Sequence, residues 1–206
     1  MNLTERKAHW EKIYQSKALE EVSWYQPNPE ASLAYIQSAN LDKDAQIIDV
    51  GAGDSFLVDY LLDQGYEHIT VLDISEEAIA RAKKRLGDRA ELVNWVVSDV
   101  VDYTPEQTFD FWHDRAAFHF LTNPADQEAY AALVSKAVKP NGKMLIATFS
   151  DQGPTKCSGI EIQQYAEEQL AQFFSKDFSM LSSKRLIHPT PFATEQEFLF
   201  AYFVHQ

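Results

Sequence analysis

Gln46-Ile47-Ile48-Asp49-Val50 is a strand-sized apolar run that opens into Gly51-Ala52-Gly53-Asp54-Ser55, after which Leu57, Val58, Leu61 and Leu62 recur at helical spacing until Gly65. A strand that turns through two glycines into an amphipathic helix is the opening unit of a doubly wound sheet. Without side chains at Gly51 and Gly53, the turn is expected to let a ligand approach the backbone. A dinucleotide site would carry a further glycine and a phosphate over the helix N-terminus. Phe56 holds that later position, and Asp49 and Asp54 crowd the place of a pyrophosphate. A cationic, phosphate-free nucleoside suits such a turn better.

Outward from this turn the alternation continues. His68 to Asp73 reads as a second strand, Ser75 as the cap of the next helix, Glu76 and Glu77 as favourable charges at its positive end, and Gly87 as its stop. Leu92 to Val97 and Phe109 to Asp114 read as strands three and four, a helix over about 125 to 138 ends at Pro140-Asn141-Gly142, and Lys143 to Phe149 reads as the fifth strand. Beyond a loop over 150 to 159 and a helix near 161 to 174, two strand candidates at about 178 to 187 and 196 to 204 follow with no helix between them. Strands joined without a crossover run antiparallel or leave the sheet. The expected fold is α/β, a doubly wound, mostly parallel seven-stranded sheet with a C-terminal antiparallel pair. Residues 3 to 16 and 29 to 39 read as N-terminal helices flanking the aromatic turn Ser23-Trp24-Tyr25-Gln26-Pro27.

A chain of 206 residues with 45% apolar and 24% charged residues has the proportions of an ordinary globular protein. Neither repeats nor a linker divides it, so one domain is expected, with residues 1–40 as a helical lid and 41–206 as a ligand-binding core. No run approaches the roughly 20 apolar residues of a membrane span, and the N-terminus is too charged for a signal peptide, so a cytoplasmic location is expected. The single cysteine, Cys157, excludes an internal disulfide and a multi-thiolate zinc site, and no metal is expected. A net charge of -13 opposes binding to a phosphate backbone, which argues against nucleic acid as partner.

Acids recur at successive strand ends. Asp73 falls 20 positions after Gly53, where a carboxylate can accept both hydroxyls of a ribose. Asp99, in Ser98-Asp99-Val100, stands where it can accept from an adenine amino group while Val100 packs on the ring. Each acid alone is also an ordinary helix cap.

The segments IIDVGAGDS, VLDIS, VVSDV, FDFWHDRAAFHFL and KPNGKMLIATF, in this order and spacing, resemble the class I S-adenosylmethionine-dependent methyltransferases over roughly residues 8 to 205. HWEKIY with SWYQ, and the later DQGPTKCSG and HPTPF, look like a small bacterial subgroup, and GAGDS is similar to a branch containing eukaryotic protein-lysine methyltransferases. The resemblance implies S-adenosyl-L-methionine as cofactor and a small molecule or protein side chain as acceptor. It places Asp49, Gly51 and Gly53 at the methionine part, Asp73 at the ribose, Asp99 with Val100 at the adenine, and Asp114 and Arg115 near the sulfonium. Ala52, Asp54, Ser55, Ile74 and Ser75, with Trp24 and Tyr25 as a lid, complete the expected cofactor set. His113-Asp114-Arg115-Ala116 departs from the Asn/Asp-Pro-Pro-Tyr motif of enzymes acting on amino groups of nucleic acid or glutamine.

A sulfonium methyl is already activated, so transfer needs mainly alignment. Where the acceptor carries a proton, a base must remove it, and His113 and His119 are the candidates. Trp10 and Tyr14 are expected to pack rather than bind, Cys157 to be a plain loop residue, and His188 to border the acceptor mouth. A cofactor-binding module without catalysis and a nicotinamide-dependent oxidoreductase are the competing readings.

Overall fold

The computed structural model describes residues 3–206; Met1 and Asn2, which open the expected lid, lie outside the described residues. The sheet strands are β1 (Gln46–Val50), β2 (His68–Asp73), β3 (Val93–Val97), β4 (Phe109–Arg115), β5 (Val138–Phe149), β6 (Phe178–Pro189) and β7 (Glu195–His205). The helices are α1 (Leu3–Ser16), α2 (Glu30–Ser38), α3 (Leu57–Asp63), α4 (Glu76–Leu86), α5 (Pro124–Ala137) and α6 (Glu167–Phe174). The seven strands form one sheet in the order β3-β2-β1-β4-β5-β7-β6. The first five run parallel, and β7 slots antiparallel between β5 and β6. This is the doubly wound sheet with a terminal antiparallel pair that the sequence predicts.

Strand periodicity divides the core in two. Ile47, Phe111, Leu145 and Phe200 face α2 and α3, whereas Ile48, Trp112, Met144 and Leu199 face α5 and α6. Alternate residues of a strand point to opposite faces, so one chain segment supplies both layers. The polar tips at the C-terminal strand ends obey the same alternation, which governs the site below.

Three elements differ from expectation. Pro140-Asn141-Gly142 does not sit between α5 and β5 but inside β5, where Asn141 at φ +64° and a register shift between Phe109 and Phe111 accommodate it as an irregularity. The helix expected from 161 begins at Glu167, because Gln163 N–H donates to the His119 carbonyl and Tyr165 N–H to the Phe149 carbonyl, which holds that stretch extended. The loop over 150 to 159 contributes Lys156–Cys157 to a two-residue antiparallel pairing with Ile160–Glu161. No helix among the described residues is long and apolar enough to cross a membrane.

Candidate functional site

A cavity of about 1270 Å³, counting its open mouth, lies at the C-terminal ends of the parallel strands. Its wall carries Asp49 from β1, Asp73 from β2 and Asp99 after β3, with Asp54 from the glycine turn. Gly51, Ala52, Ser55, Ile74 and Val100 also line it. The three strand-end acids that lie far apart in sequence thus share one wall.

The glycine turn is gripped from within. Gly51 has φ +61°, and a Cβ there would meet the Ala117 methyl at 2.5 Å; Gly53 has φ +57°, and a Cβ would meet the Tyr14 hydroxyl at 2.1 Å. Gly51 lines the cavity while its missing side chain also leaves room for Ala117, whereas Gly53 is off the cavity wall and its missing side chain admits Tyr14. Gly53 N–H and Ser75 N–H donate to the two carboxylate oxygens of Asp73, at 2.7 and 2.8 Å. Burial pushes the Asp73 carboxyl up to about 6, against the pull of those two bonds, with Asp49 and Asp54 adding repulsion. Arg81 and Arg85 of α4 complete the grip: Arg81 pairs with Asp54 at 2.8 Å, and Arg85 donates to the carbonyls of Asp54 and Ser55 at 2.6 Å each. Ser75 is off the wall, where it caps α4 by accepting from Ala78 N–H.

Helix α1 roofs this end. Its Glu11 accepts the N–H groups of Glu76 and Glu77, so a carboxylate covers the positive N-terminus of α4. Its Arg6 pairs with Asp99 at 2.8 Å, and Asp99 also accepts from Val101 N–H. Trp10 and Tyr14, expected only to pack, line the cavity with Arg6. Trp24 meets Trp10 and Tyr14 edge-on at 5.8 and 6.3 Å, Trp10 meets Phe120, and Tyr25 meets Phe56, so the aromatic wall is continuous. The spacing of Trp10 and Tyr14 on one helix face was the available signal for these residues.

At the end of β4, alternation separates neighbours. His113 and Arg115 point to the α2 face and the cavity, whereas Asp114 points to the α5 face. The expectation that Asp114 approaches the ligand is corrected by this geometry. It accepts from the Tyr130 hydroxyl at 2.7 Å and from the N–H groups of Ala117 and Phe118, with burial pushing its carboxyl up to about 6. These bonds fasten the turn in which Ala116 sits at φ +70°, a conformation unfavourable for a residue with a side chain. Tyr130→Phe is expected to lower stability by about 1–3 kcal/mol, since it strips a buried carboxylate of its hydroxyl donor. Urea denaturation tests this, with a lower midpoint at unchanged slope as the predicted result.

His113 is held at both nitrogens, Nδ1 by Asp49 at 2.6 Å and Nε2 by the Ser32 hydroxyl at 2.8 Å. His119 is off the cavity wall: its Nδ1 accepts from Phe149 N–H, and burial pulls its pKa down to about 3. It stays neutral under Phe149 and Phe120, which corrects its candidacy as a base. Cys157, expected to be a plain loop residue, is buried on the cavity wall. His188 lies off that wall, with its ring bonded to the Ser23 carbonyl at 2.7 Å, so it fastens the aromatic turn to β6.

The methyltransferase domain family matches residues 47–142, which contain β1 from Ile47 on, β2 to β4 and the three strand-end acids. Over these residues, a little under half of its length, the chain resembles S-adenosylmethionine-dependent methyltransferases. It is similar to EEF1A lysine methyltransferase 2 of Danio rerio, at 24% identity over 77% of this chain and 64% of the relative. It is also similar to malonyl-[acyl-carrier protein] O-methyltransferase of Anoxybacillus flavithermus, at 29% identity over 52% of this chain and 39% of the relative. The chain thus spans less than two thirds of the length of both relatives. In fold it resembles the crystal structure of Burkholderia thailandensis 1,6-didemethyltoxoflavin-N1-methyltransferase with bound 1,6-didemethyltoxoflavin and S-adenosylhomocysteine. That likeness has a TM-score of 0.72 and 21% identity, covering 99% of this chain and 87% of the other.

Proposed function

We propose that this chain is an active methyltransferase that binds S-adenosylmethionine in the cavity and methylates a small molecule or a protein side chain, in the cytoplasm and as a single domain with residues 1–40 as lid. The observation that carries this reading is the convergence of Asp49, Asp54, Asp73 and Asp99 on one aromatic-roofed wall. Asp54 and Asp99 are paired with Arg81 and Arg6, while Asp49 and Asp73 have no arginine partner among the described residues, and this balance disfavours a pyrophosphate and suits a cationic, phosphate-free nucleoside. That donor set fits the cofactor and disfavours the nicotinamide reading.

Asp73 would accept the ribose hydroxyls with the lone pairs left over by Gly53 and Ser75. Asp99 and Val100 would meet the adenine, Asp49 and Gly51 the methionine part, and Trp10, Tyr14, Trp24 and Tyr25 would exclude water above it. When bound, S-adenosylmethionine supplies a methyl group activated by its sulfonium. The protein's part is then alignment, worth several kcal/mol of barrier. His113, committed to Asp49 and Ser32, positions that carboxylate rather than acting as a base. An acceptor that arrives with a free lone pair suits this arrangement.

S-adenosylhomocysteine is expected to bind in the micromolar range, about 7 to 8 kcal/mol, and to raise the melting temperature, whereas NAD does neither. Stabilisation by NAD alone would overturn the reading. Conversion of S-adenosylmethionine to S-adenosylhomocysteine with a fractionated cell extract separates an enzyme from a binding module.

A further inference from the structure

Arg115 lines the cavity on β4, next to β1, and among the described residues no carboxylate makes an ion pair with its guanidinium, although Asp49 on β1 favours its charge from a distance. Its Nη1 donates to the Trp24 carbonyl at 3.3 Å, and its plane lies 4.9 Å from the Phe198 ring centroid. Nε and Nη2 are sealed from solvent and have no hydrogen-bond partner among the described residues. The carboxylate on the same face of the adjoining strand, Asp49, is engaged by His113. Sealed donors almost always have partners, and a buried cation left without hydrogen-bond acceptors is strongly disfavoured. The empty edge is also a specific one. Nε and Nη2 form the side of the guanidinium that presents two parallel N–H groups, which matches the two oxygens of a carboxylate.

Position separates this edge from the nucleoside end. Asp73 and Asp99 close β2 and β3, whereas Phe198 and Gln196 stand on β7, four strands from β2. At about 4.8 Å per strand that is about 19 Å, enough for a second molecule beside the cofactor. Gln196 shares a strand face with Phe198, lines the cavity, and has a sealed Oε1 without a partner among the described residues, a second unsatisfied polar atom at this end. The cavity therefore has an acidic end and a cationic end. Although burial lowers the Arg115 pKa to about 10, the group remains charged at neutral pH.

We propose that the Arg115 end is an anion subsite and that the methyl acceptor is a small carboxylate, gripped side-on by Nε and Nη2 with its apolar body between Trp24 and Phe198. This rests on the reading of the acidic end as the cofactor site. A protonated amine in the same place would face an unscreened cation, so a lysine acceptor is disfavoured.

The test is calorimetric titration of the S-adenosylhomocysteine-saturated protein with benzoate, phenylacetate and indole-3-acetate, each against its neutral amide. At least one acid is expected to bind about tenfold more tightly than its amide, and Arg115→Met to erase that preference. The comparison of acid with amide needs only the wild-type chain, so it stands even where the variant fails to fold. Equal binding of acid and amide in all three pairs, or no binding of any acid, would overturn the subsite. So would a folded Arg115→Met chain whose S-adenosylhomocysteine affinity falls more than about tenfold, because the guanidinium would then serve the cofactor's own carboxylate. Failure of S-adenosylhomocysteine to bind the wild-type chain would instead overturn the methyltransferase reading, and the acceptor subsite with it.

Discussion

Asp73→Ala is expected to weaken S-adenosylhomocysteine binding by about 2–3 kcal/mol, roughly 30- to 150-fold, because two charge-assisted hydrogen bonds to the ribose disappear. The same carboxylate predicts a pH dependence with a definite sign. Its pKa is raised to about 6 in the free protein, chiefly by burial, and the ribose hydroxyls donate to the ionised form. Protonation therefore competes with binding, and affinity should fall as pH drops through about 6, by about tenfold between pH 7 and pH 5. The free fold responds in the opposite sense. A carboxyl whose folded pKa lies above its unfolded value stabilises the fold below the unfolded pKa, and that contribution is lost as pH rises toward 6. Calorimetry at several pH values on the wild type and on Asp73→Asn checks both statements, since the variant should show weak and pH-flat binding. Unchanged affinity in a folded Asp73→Ala chain would mean that the ribose lies elsewhere.

Removing residues 1–28 is expected to abolish methyl transfer and weaken cofactor binding by at least about tenfold, while leaving the sheet intact. The deletion takes Arg6, Trp10, Tyr14, Trp24 and Tyr25 off the cavity wall at once. It also uncovers the N-terminus of α4, which Glu11 covers, and frees Arg115 and His188 from the Trp24 and Ser23 carbonyls, but none of the described residues it removes belongs to a strand of the sheet. Limited proteolysis reads the same segment in the full chain: cutting near residues 20 to 28 should slow when S-adenosylhomocysteine is added. His188→Ala should speed that cutting, because the bond from its ring to the Ser23 carbonyl is lost. Equal cleavage with and without saturating ligand, together with full activity of the truncated chain, would reduce these aromatics to packing residues.

The sheet was legible because its signals are local. Ile47 and Ile48 alternate between faces, Ser75 caps its helix within three residues, and Asp73 follows Gly53 at the interval that a strand, turn, helix and second strand require. Pro140-Asn141-Gly142 misled in the same local terms, since a break after a helix and an irregularity inside a strand use the same residues. The acidic wall was legible too, because strand ends in a parallel sheet necessarily gather at one edge.

What composition and spacing determined unaided was therefore the doubly wound sheet, two final strands without a crossover, and the gathering of Asp49, Asp73 and Asp99 at one edge; the pairing of β7 between β5 and β6 came from the tertiary structure. The tertiary structure alone decided which neighbours reach the cavity. His113 and Arg115 face it while Asp114 between them faces Tyr130, because the phase of β4, set by its pairing with β1 and β5, sends alternate side chains to opposite layers. Likewise Tyr14 fills the space over Gly53, Arg6 reaches Asp99, and His188 ties down the turn at Ser23, contacts between residues 39, 93 and 165 positions apart. Periodicity reports which face of an element is apolar, but the free energy that selects its partner comes from burial against distant chain, which no local spacing encodes.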